Sequence, residues 1–176
     1  MTSNNKAKHI IIDVIVLIVL IAVDQLTKYI AVINLKDKPA IKIIDDVFEL
    51  NYLENRGAAF GMLQNQKILF LIIAFIMLFL IFFILFKMPN TKHYFVIEAT
   101  LLCIAAGAVG NMIDRIINTY VVDFFYFVLI NFPIFNVADI YVSVACVVLV
   151  ISVLFFYKDS DFDFLRKKSG ESNGTV

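Results

Sequence analysis

The sequence predicts an all-α membrane protein with four transmembrane helices, a small extracytoplasmic β-sheet and an interfacial aromatic loop. The hydrophobic content is 61% and the mean hydropathy is +0.89, both above the values of ordinary soluble domains. Four apolar runs are each long enough to cross roughly 30 Å of hydrocarbon as a helix. They cover residues 10–33, 68–86, 95–117 and 140–157.

The spans leave two long connections and a tail, and together they indicate a single integral-membrane domain over residues 1–176. The connections are residues 35–67 and 118–139. Residues 159–176 combine mixed charges with Ser and Gly, which predicts a poorly ordered end. A net charge of zero provides no basic field for a nucleic acid, so no nucleic-acid partner is expected.

The distribution of Lys and Arg predicts the orientation in the membrane. An even number of spans places both termini on one side. Residues 118–139 contain no basic residue, and the Lys and Arg residues of 35–67 are offset by acidic ones. By the positive-inside rule, both termini are cytoplasmic and both long connections face outward. The basic residues on the cytoplasmic side are Lys6, Lys8, Lys87, Lys92, Lys158, Arg166, Lys167 and Lys168.

The first apolar run does not have the features of a cleaved signal peptide. It follows two lysines, as a signal-peptide core would, but it is too long for such a core. It also lacks a small-x-small cleavage site. We therefore predict that it is the first membrane span.

The two long connections show different patterns. Residues 47–54 (VFELNYLE) alternate between apolar and polar side chains, which predicts a strand of a small outer sheet. The glycines of residues 55–61 (NRGAAFG) suit a tight turn or a close approach of another chain. Residues 118–139 are rich in aromatic side chains, as expected of a segment at the headgroup level. These are Tyr120, Phe124, Phe125, Tyr126, Phe127, Phe132 and Phe135.

The sequence lacks the residues that several common catalytic chemistries require. His9 and His93 lie at the cytoplasmic helix ends, and no HExxH motif or Cys/His cluster is present, so we predict no metal site. Cys103 and Cys146 lie mid-helix and are expected to act as small hydrophobes, without a disulfide. No GxSxG elbow, P-loop or dinucleotide fingerprint occurs, so we predict neither a serine hydrolase nor a cofactor.

Ionisable residues in or beside the spans are candidates for function, because a charge in the hydrocarbon costs several kcal/mol. Asp13 and Glu98 lie near cytoplasmic helix ends, where water or lysines are in reach, and we predict a structural role for them. The other polar candidates map to the outer half of the chain and are expected to share one site. They are Asp24, Asn55, Asn111, Asp114, Arg115, Asp123, Asn136 and Asp139.

Some of these residues also have structural explanations. Asp24 lies four residues before Lys28, which allows a simple ion pair on one helix face. Asn136 and Asp139 precede the last apolar run at the spacing of a helix cap. Both explanations remain open at this point.

The third apolar run carries small residues beside its polar ones. Asn111 and Arg115 share a stripe with Gly107, and Ala108 and Gly110 lie next to it. Small residues at such positions permit close helix packing. Arg115 requires an anion nearby.

Asp123 is harder to explain structurally, because it lies among apolar and aromatic residues with no adjacent cation in the sequence. A second carboxylate close by, Asp139, would make the two groups share a proton near neutral pH. One group would then act as base and the other as acid. That is the arrangement of an aspartyl hydrolase.

Five motifs resemble one family in their order and positions. They are residues 24–28 (DQLTK), 55–61 (NRGAAFG), 110–115 (GNMIDR), 121–124 (VVDF) and 135–139 (FNVAD). Nearly end to end, the chain resembles the bacterial lipoprotein signal peptidases, also called signal peptidase II. Each motif alone is a weak signal, but the set is specific.

The resemblance implies an aspartyl endopeptidase that removes the signal peptide from diacylglyceryl-modified prolipoproteins, just before the lipidated cysteine. It also implies four helices, a small sheet at the outer surface and a mobile loop over the site. Asp123 and Asp139 take the catalytic positions, and Asp114 a structural one. The remaining positions, which hold the pair or contact substrate, are Asp24, Asn55, Gly57, Asn111, Arg115 and Asn136.

The expected partners are prolipoprotein substrates and membrane lipids, and we predict a monomer in the bacterial cytoplasmic membrane with its site near the extracytoplasmic face. An ion-coupled small transporter is the alternative, but its acids should line a path rather than crowd one rim. A non-catalytic membrane subunit is a further alternative. It would not explain two separate Asp motifs on one side of the membrane.

Overall fold

The computed structural model describes residues 3–57 and 62–166, and this part of the chain contains the four predicted membrane helices. All four are long and apolar enough to cross a membrane. The fourth helix begins three residues before the predicted span and ends two residues before the predicted end, because Asn136 caps its first turn. The helices are α1 Ser3–Leu35, α2 Lys67–Lys87, α3 Phe95–Asn118 and α4 Val137–Phe155.

Helix α3 is the centre of the bundle and packs against each of α1, α2 and α4. Most of its inward positions are buried, and Leu101, Ile104 and Ala105 belong to the main apolar core. The other faces of α1, α2 and α4 carry exposed apolar side chains, as expected where lipid is the solvent. Cys103 on α3 and Cys146 on α4 are free thiols within these apolar surroundings.

Two glycines let α3 approach its neighbours closely. A Cβ atom added at Gly107 would lie 2.5 Å from the carbonyl oxygen of Ala138 at the start of α4. A Cβ atom at Gly110 would meet the carboxylate of Asp24 on α1. The predicted close packing along this stripe is therefore confirmed, and it brings α1, α3 and α4 together at the end of the bundle that carries the sheet.

The sheet has three antiparallel strands in the order β1–β2–β3, and it covers one end of the bundle, which we call the sheet end. The predicted strand at residues 47–54 is confirmed as β2. Val122 and Phe124 of β3 form a second apolar core with Ala31 and Leu35 at the end of α1. The strands are β1 Ile41–Ile44, β2 Phe48–Asn55 and β3 Val121–Phe127.

The aromatic connection differs in part from its prediction as an interfacial loop, because its first half is strand β3. Phe124 is buried in the sheet core rather than placed at a surface. Backbone hydrogen bonds of β3 to β2 on one side and to Phe135 on the other explain why this stretch is ordered. The turn that follows keeps Leu129, Ile130 and Phe132 exposed, as the interfacial prediction requires.

The tail also differs from its prediction, because its first part, Asp159–Leu165, is a 3₁₀ helix. Tyr94 donates its hydroxyl to the carbonyl of Asp161 over 2.8 Å, and the rings of Phe162 and Phe164 pack near Tyr157 and Tyr94. These contacts offset the entropy cost of ordering this polar stretch. The expectations for residues 58–61 and for 167–176 lie outside the described residues.

Candidate active site

Asp123 lies on β3 with its carboxylate almost fully buried, at 1% exposure. The β2–β3 register places Asn55 diagonally across from it on the same face, and the Asn55 amide donates to Asp123 Oδ2 over 2.9 Å. The Asn136 amide donates to Asp123 Oδ1 over 2.6 Å. Burial raises the pKa of Asp123 to about 7; the charge of Asp139 acts in the same direction, and the two amide hydrogen bonds oppose it.

Asp139 lies in the first turn of α4, where it forms a capping box with Asn136. The Asn136 backbone N–H donates to Asp139 Oδ2 over 3.1 Å, and the Asp139 N–H donates to Asn136 Oδ1 over 3.1 Å. The other oxygen, Oδ1, accepts from the Asn111 amide of α3 over 2.9 Å. Capping is therefore confirmed, and the same contacts aim the carboxylate toward the amides of the site.

The two carboxylates line one cavity of about 520 Å³ at the sheet end. Asn55, Asn111, Arg115 and Ser143 supply the other polar side chains of its wall. The apolar lining residues come from β3, from α2, from the aromatic connection and from the exposed side of α4. They include Phe70, Phe132, Pro133, Ile134, Ile140 and Val144.

Arg115 joins the loop after β2 to the bundle. Its guanidinium donates to the carbonyl oxygen of Gly57 over 3.2 Å and lies 4.5 Å from the ring centre of Phe70. It also donates to the carbonyl oxygen of Asn111 over 3.4 Å. The anions predicted near Arg115 are the carboxylates of Asp139, Asp123 and Asp114, whose charges act on its guanidinium.

Asp24 does not line the cavity, although it was predicted among the supporting residues. It is fully buried and accepts from the backbone N–H of Ala138 over 2.9 Å, which fixes the start of α4. Its ion pair with Lys28, at 2.9 Å, confirms the predicted helix pair. Asp24 therefore supports the site indirectly: it holds the start of α4 in place but does not line the cavity.

Asp114 has contacts that agree with the predicted structural role. Its Oδ2 accepts from the backbone N–H of Val122 over 3.1 Å and so ties β3 to α3. The same oxygen lies 3.1 Å from the ammonium of Lys28, and Oδ1 accepts from the Gln25 amide. Asp24, Lys28 and Asp114 thus form a buried cluster of charges beneath the site.

Comparisons with known proteins point to one family. The family model described as "Signal peptidase (SPase) II" matches residues 16–155. The lipoprotein signal peptidase of Clostridioides difficile is 43% identical over 84% of this chain and 97% of its own length. That of Streptococcus pneumoniae is 41% identical over 84% and 94%. A bacterial membrane enzyme solved at 2.3 Å has a TM-score of 0.73, at 27% identity over 90% of this chain and 93% of that one.

The chain belongs to the signal peptidase II family. The resemblance of the five motifs is thereby confirmed, and so is the reaction class: the protein is an aspartic-type peptidase. The comparisons give no support to the transporter alternative. Aspartic-type peptidases work with two carboxylates side by side, and the described structure brings Asp123 and Asp139 to one cavity.

Lys28 is the residue of this signal peptidase II whose importance the sequence reasoning missed, since it was considered only as the partner of Asp24. Its ammonium, 3% exposed, also donates to Asn111 Oδ1 over 2.8 Å. A lysine within an apolar span requires a partner, and this requirement is the sequence signal that could have identified Lys28. The sequence could not show that its partners come from α3 as well as from α1.

A separate polar cluster lies at the opposite end of the bundle. His9 Nδ1 lies 3.5 Å from Asp13 and 3.1 Å from Glu98, so both acids have a histidine partner that the sequence analysis did not predict. The donor atoms of the three residues lie within 4.8 Å of one another, close enough to hold a metal ion. This cluster lies far from the two catalytic candidates and is not part of their cavity.

The burial of Asp123 can be tested through the effect of its raised pKa on the stability of the fold. Because its folded pKa lies above that of an unfolded aspartate, the protonated form stabilises the fold, and this stability is lost as pH rises through about 7. We expect wild type to lose about 1.4 kcal/mol more than Asp123→Asn between about pH 6 and about pH 8. Thermal unfolding of both proteins in the same detergent measures this difference.

Titrating groups that do not interact with Asp123 are shared by the two proteins and cancel in the comparison, so the difference reports Asp123 together with its coupling to Asp139. Parallel curves of melting temperature against pH would show that Asp123 does not titrate in this range. Asp45→Asn, at an exposed position with a side chain that is 83% accessible, is the matched control and should follow wild type.

Proposed function

We propose that Asp123 and Asp139 are the catalytic pair with which the protein hydrolyses the signal-peptide bond of prolipoproteins, just before the lipidated cysteine. One observation carries the proposal: a single residue, Asn136, holds both carboxylates in one cavity, Asp123 through its side-chain amide and Asp139 through its backbone N–H. The family membership supports the reaction class. The positions of the pair support the assignment of these two residues.

The chemistry requires one ionised and one protonated carboxyl group. The ionised group takes a proton from a water molecule, whose oxygen attacks the carbonyl carbon of the scissile bond. The protonated group donates to the carbonyl oxygen, which gives a neutral tetrahedral diol. Collapse of the diol breaks the C–N bond while a proton passes to the leaving nitrogen. No covalent intermediate with the enzyme is needed.

The surroundings of the two carboxylates favour Asp139 as base and Asp123 as acid. Asp139 lies at the amino end of α4, where the helix dipole and the Asn136 N–H favour a negative charge. Asp123 lies buried on the strand, where burial raises its pKa to about 7 and so keeps the proton on it near neutral pH. The apparent pKa values nevertheless belong to the pair, because the two groups interact.

The walls of the cavity support a substrate that carries lipid. Phe70, Ile140 and Val144 form an apolar side that continues onto the lipid-facing surfaces of α2 and α4. The polar wall with Asn55, Asn111 and Arg115 can hold the peptide backbone. Acyl chains would stay in lipid beside α2 and α4 while the scissile bond meets the carboxylates and water.

The proposed orientation places the sheet end on the extracytoplasmic face, with both termini in the cytoplasm of the bacterial cell. Lys87, Lys92, Lys158 and Arg166 all lie at the end opposite the sheet, which supports this orientation by the positive-inside rule. We also propose that the protein acts as a monomer, since the hydrogen bonds that hold Asp123 and Asp139 in place all come from within one chain.

The assignment of the pair is tested by Asp123→Asn and Asp139→Asn, because an amide serves neither as base nor as the required acid. We expect each variant to lose cleavage by at least roughly 10³-fold while folded, inserted protein persists. Asp45→Asn is the control and should cleave normally. Near-normal turnover by either site variant would refute the assignment.

The wild-type rate should also depend on pH in a bell shape. Activity is lost at low pH as the ionised group of the pair takes up a proton, and it falls as Asp123 loses its proton through about pH 7. The measurement is kcat/KM against pH. A flat profile under conditions in which chemistry limits the rate would contradict the shared-proton mechanism.

The lipid on the substrate is the subject of a separate test. Each buried CH₂ contributes roughly 0.8 kcal/mol, so two acyl chains hold the cysteine at the headgroup level, beside the cavity. We expect the unlipidated form of a precursor to be cleaved at least roughly tenfold more slowly in matched bilayers. Equal rates on both forms would favour a general intramembrane protease instead.

The orientation is tested with single cysteines at two exposed positions, in a background in which Cys103 and Cys146 are replaced by Ala. Asp45→Cys lies between β1 and β2, and Thr91→Cys lies between α2 and α3. An impermeant thiol reagent outside intact cells should label only position 45, after permeabilisation of any outer membrane. Labelling at position 91 alone would invert the proposed topology.

A further inference from the structure

The buried ammonium of Lys28 contacts more than its two carboxylate partners. It lies 2.9 Å from Asp24 Oδ2 and 3.1 Å from Asp114 Oδ2, and it donates to Asn111 Oδ1 over 2.8 Å. A lysine ammonium has three N–H donors, and these contacts account for all of them. Lys28 does not line the catalytic cavity.

The contact with Asn111 decides which way that side-chain amide points. Asn111 Oδ1 accepts from both Lys28 Nζ and the Asn136 amide, whose nitrogen lies 3.1 Å away. With two donors facing its oxygen, the carboxamide must turn its NH₂ group the other way. That NH₂ group donates to Asp139 Oδ1 over 2.9 Å.

The same oxygen also connects Lys28 to the second carboxylate. The Asn136 NH₂ group that contacts Asn111 Oδ1 donates its other hydrogen to Asp123 Oδ1 over 2.6 Å. Lys28 is therefore one amide away from Asp139 and two amides away from Asp123. Such chains of buried hydrogen bonds polarise one another in a medium of low dielectric constant.

We propose that Lys28 is a positioning residue for the catalytic pair: its ammonium fixes the orientation of the Asn111 carboxamide, and through Asn111 and Asn136 it fixes the two carboxylates. The inference depends on the proposed roles of Asp123 and Asp139. Lys28 touches neither the substrate cavity nor the reacting atoms. Its effect is on the geometry and charge of the groups that do.

The charges around Lys28 and Asp123 determine in which direction the loss of Lys28 moves the pH dependence of activity. Lys28 faces Asp24 on its own helix and Asp114 on α3, and Asp123 faces Asp139 on α4 and the guanidinium of Arg115 on α3. Among these groups, Lys28 lowers the pKa of Asp123. Removal of the ammonium therefore raises this pKa, and the alkaline limb of the activity profile should move to higher pH.

A purely structural ion pair would predict a different result. Asp24 holds the start of α4 and Asp114 holds β3, so Lys28 could serve only to neutralise these two buried acids. In that case, replacement of all three charged residues by neutral ones should restore both the fold and the rate, because no unpaired buried charge remains. The positioning role predicts restoration of the fold without restoration of the rate.

The experiment compares Lys28→Met with the charge-free variant Lys28→Met/Asp24→Asn/Asp114→Asn. Asn at positions 24 and 114 retains an oxygen that can accept from the backbone of α4 and β3. Lys36→Met is the matched control, since Lys36 follows the end of the same helix and pairs with Glu54 outside the cavity. The readouts are folded fraction, kcat, KM and the pH profile on a lipidated precursor.

We expect kcat per folded protein to fall roughly 10²-fold in both variants, because misorientation of Asn111 releases Asp139 from its position. KM should stay within about twofold, since the cavity walls are unchanged. The alkaline limb of Lys28→Met should move up by about one pH unit. Lys36→Met should match wild type in all four readouts.

Wild-type kcat and an unchanged pH profile in either folded variant would overturn the proposal. Loss of folded protein in both variants would assign Lys28 to the fold alone and would overturn it equally. These outcomes are distinct from failure of the catalytic assignment. If Asp123→Asn and Asp139→Asn remain inactive while the Lys28 variants cleave normally, only the role of Lys28 is refuted.

Discussion

The side-chain amide of Asn136 is the interaction on which the rest of the site depends. It is fully buried and lies where α4 begins, between the strand that carries Asp123 and the helix that carries Asn111. Its oxygen accepts from the Asp139 N–H, and its nitrogen donates to Asp123 and Asn111. A buried amide left without partners would be costly, so these bonds oblige β3, α3 and α4 to meet at one point.

The membrane explains why that meeting point lies at the end of the bundle. Within the hydrocarbon, each helix satisfies its own backbone, and irregular structure needs polar partners that lipid does not provide. The sheet, the capping box and the loop after β2 therefore gather where water is in reach. Gly107 and Gly110 let the helices approach closely enough for Asp24 to reach the start of α4. The apolar faces below this level hold the protein in lipid.

Charge and burial together explain how the two carboxylates can differ in protonation state. Both carboxylates accept two N–H hydrogen bonds, but Asp139 lies at the amino end of a helix, whereas Asp123 lies buried on a strand. The buried cluster beneath them adds a cation flanked by two acids. Replacement of a carboxylate in such a network changes its neighbours as well, which makes single effects non-additive.

The sequence by itself determined the four spans, because only long apolar helices satisfy their backbone in lipid, and it determined strand β2 through its alternating pattern. It also identified the polar residues of the site, since Asp and Asn are costly among apolar neighbours and so stand out. Only the tertiary structure decided that residues 121–127 pair as β3, because VVDFFYF reads equally well as an aromatic surface segment. It alone decided the partners that Lys28 and His9 find on α3, which lie more than 80 residues away along the chain, because such contacts follow from helix packing and not from local pattern.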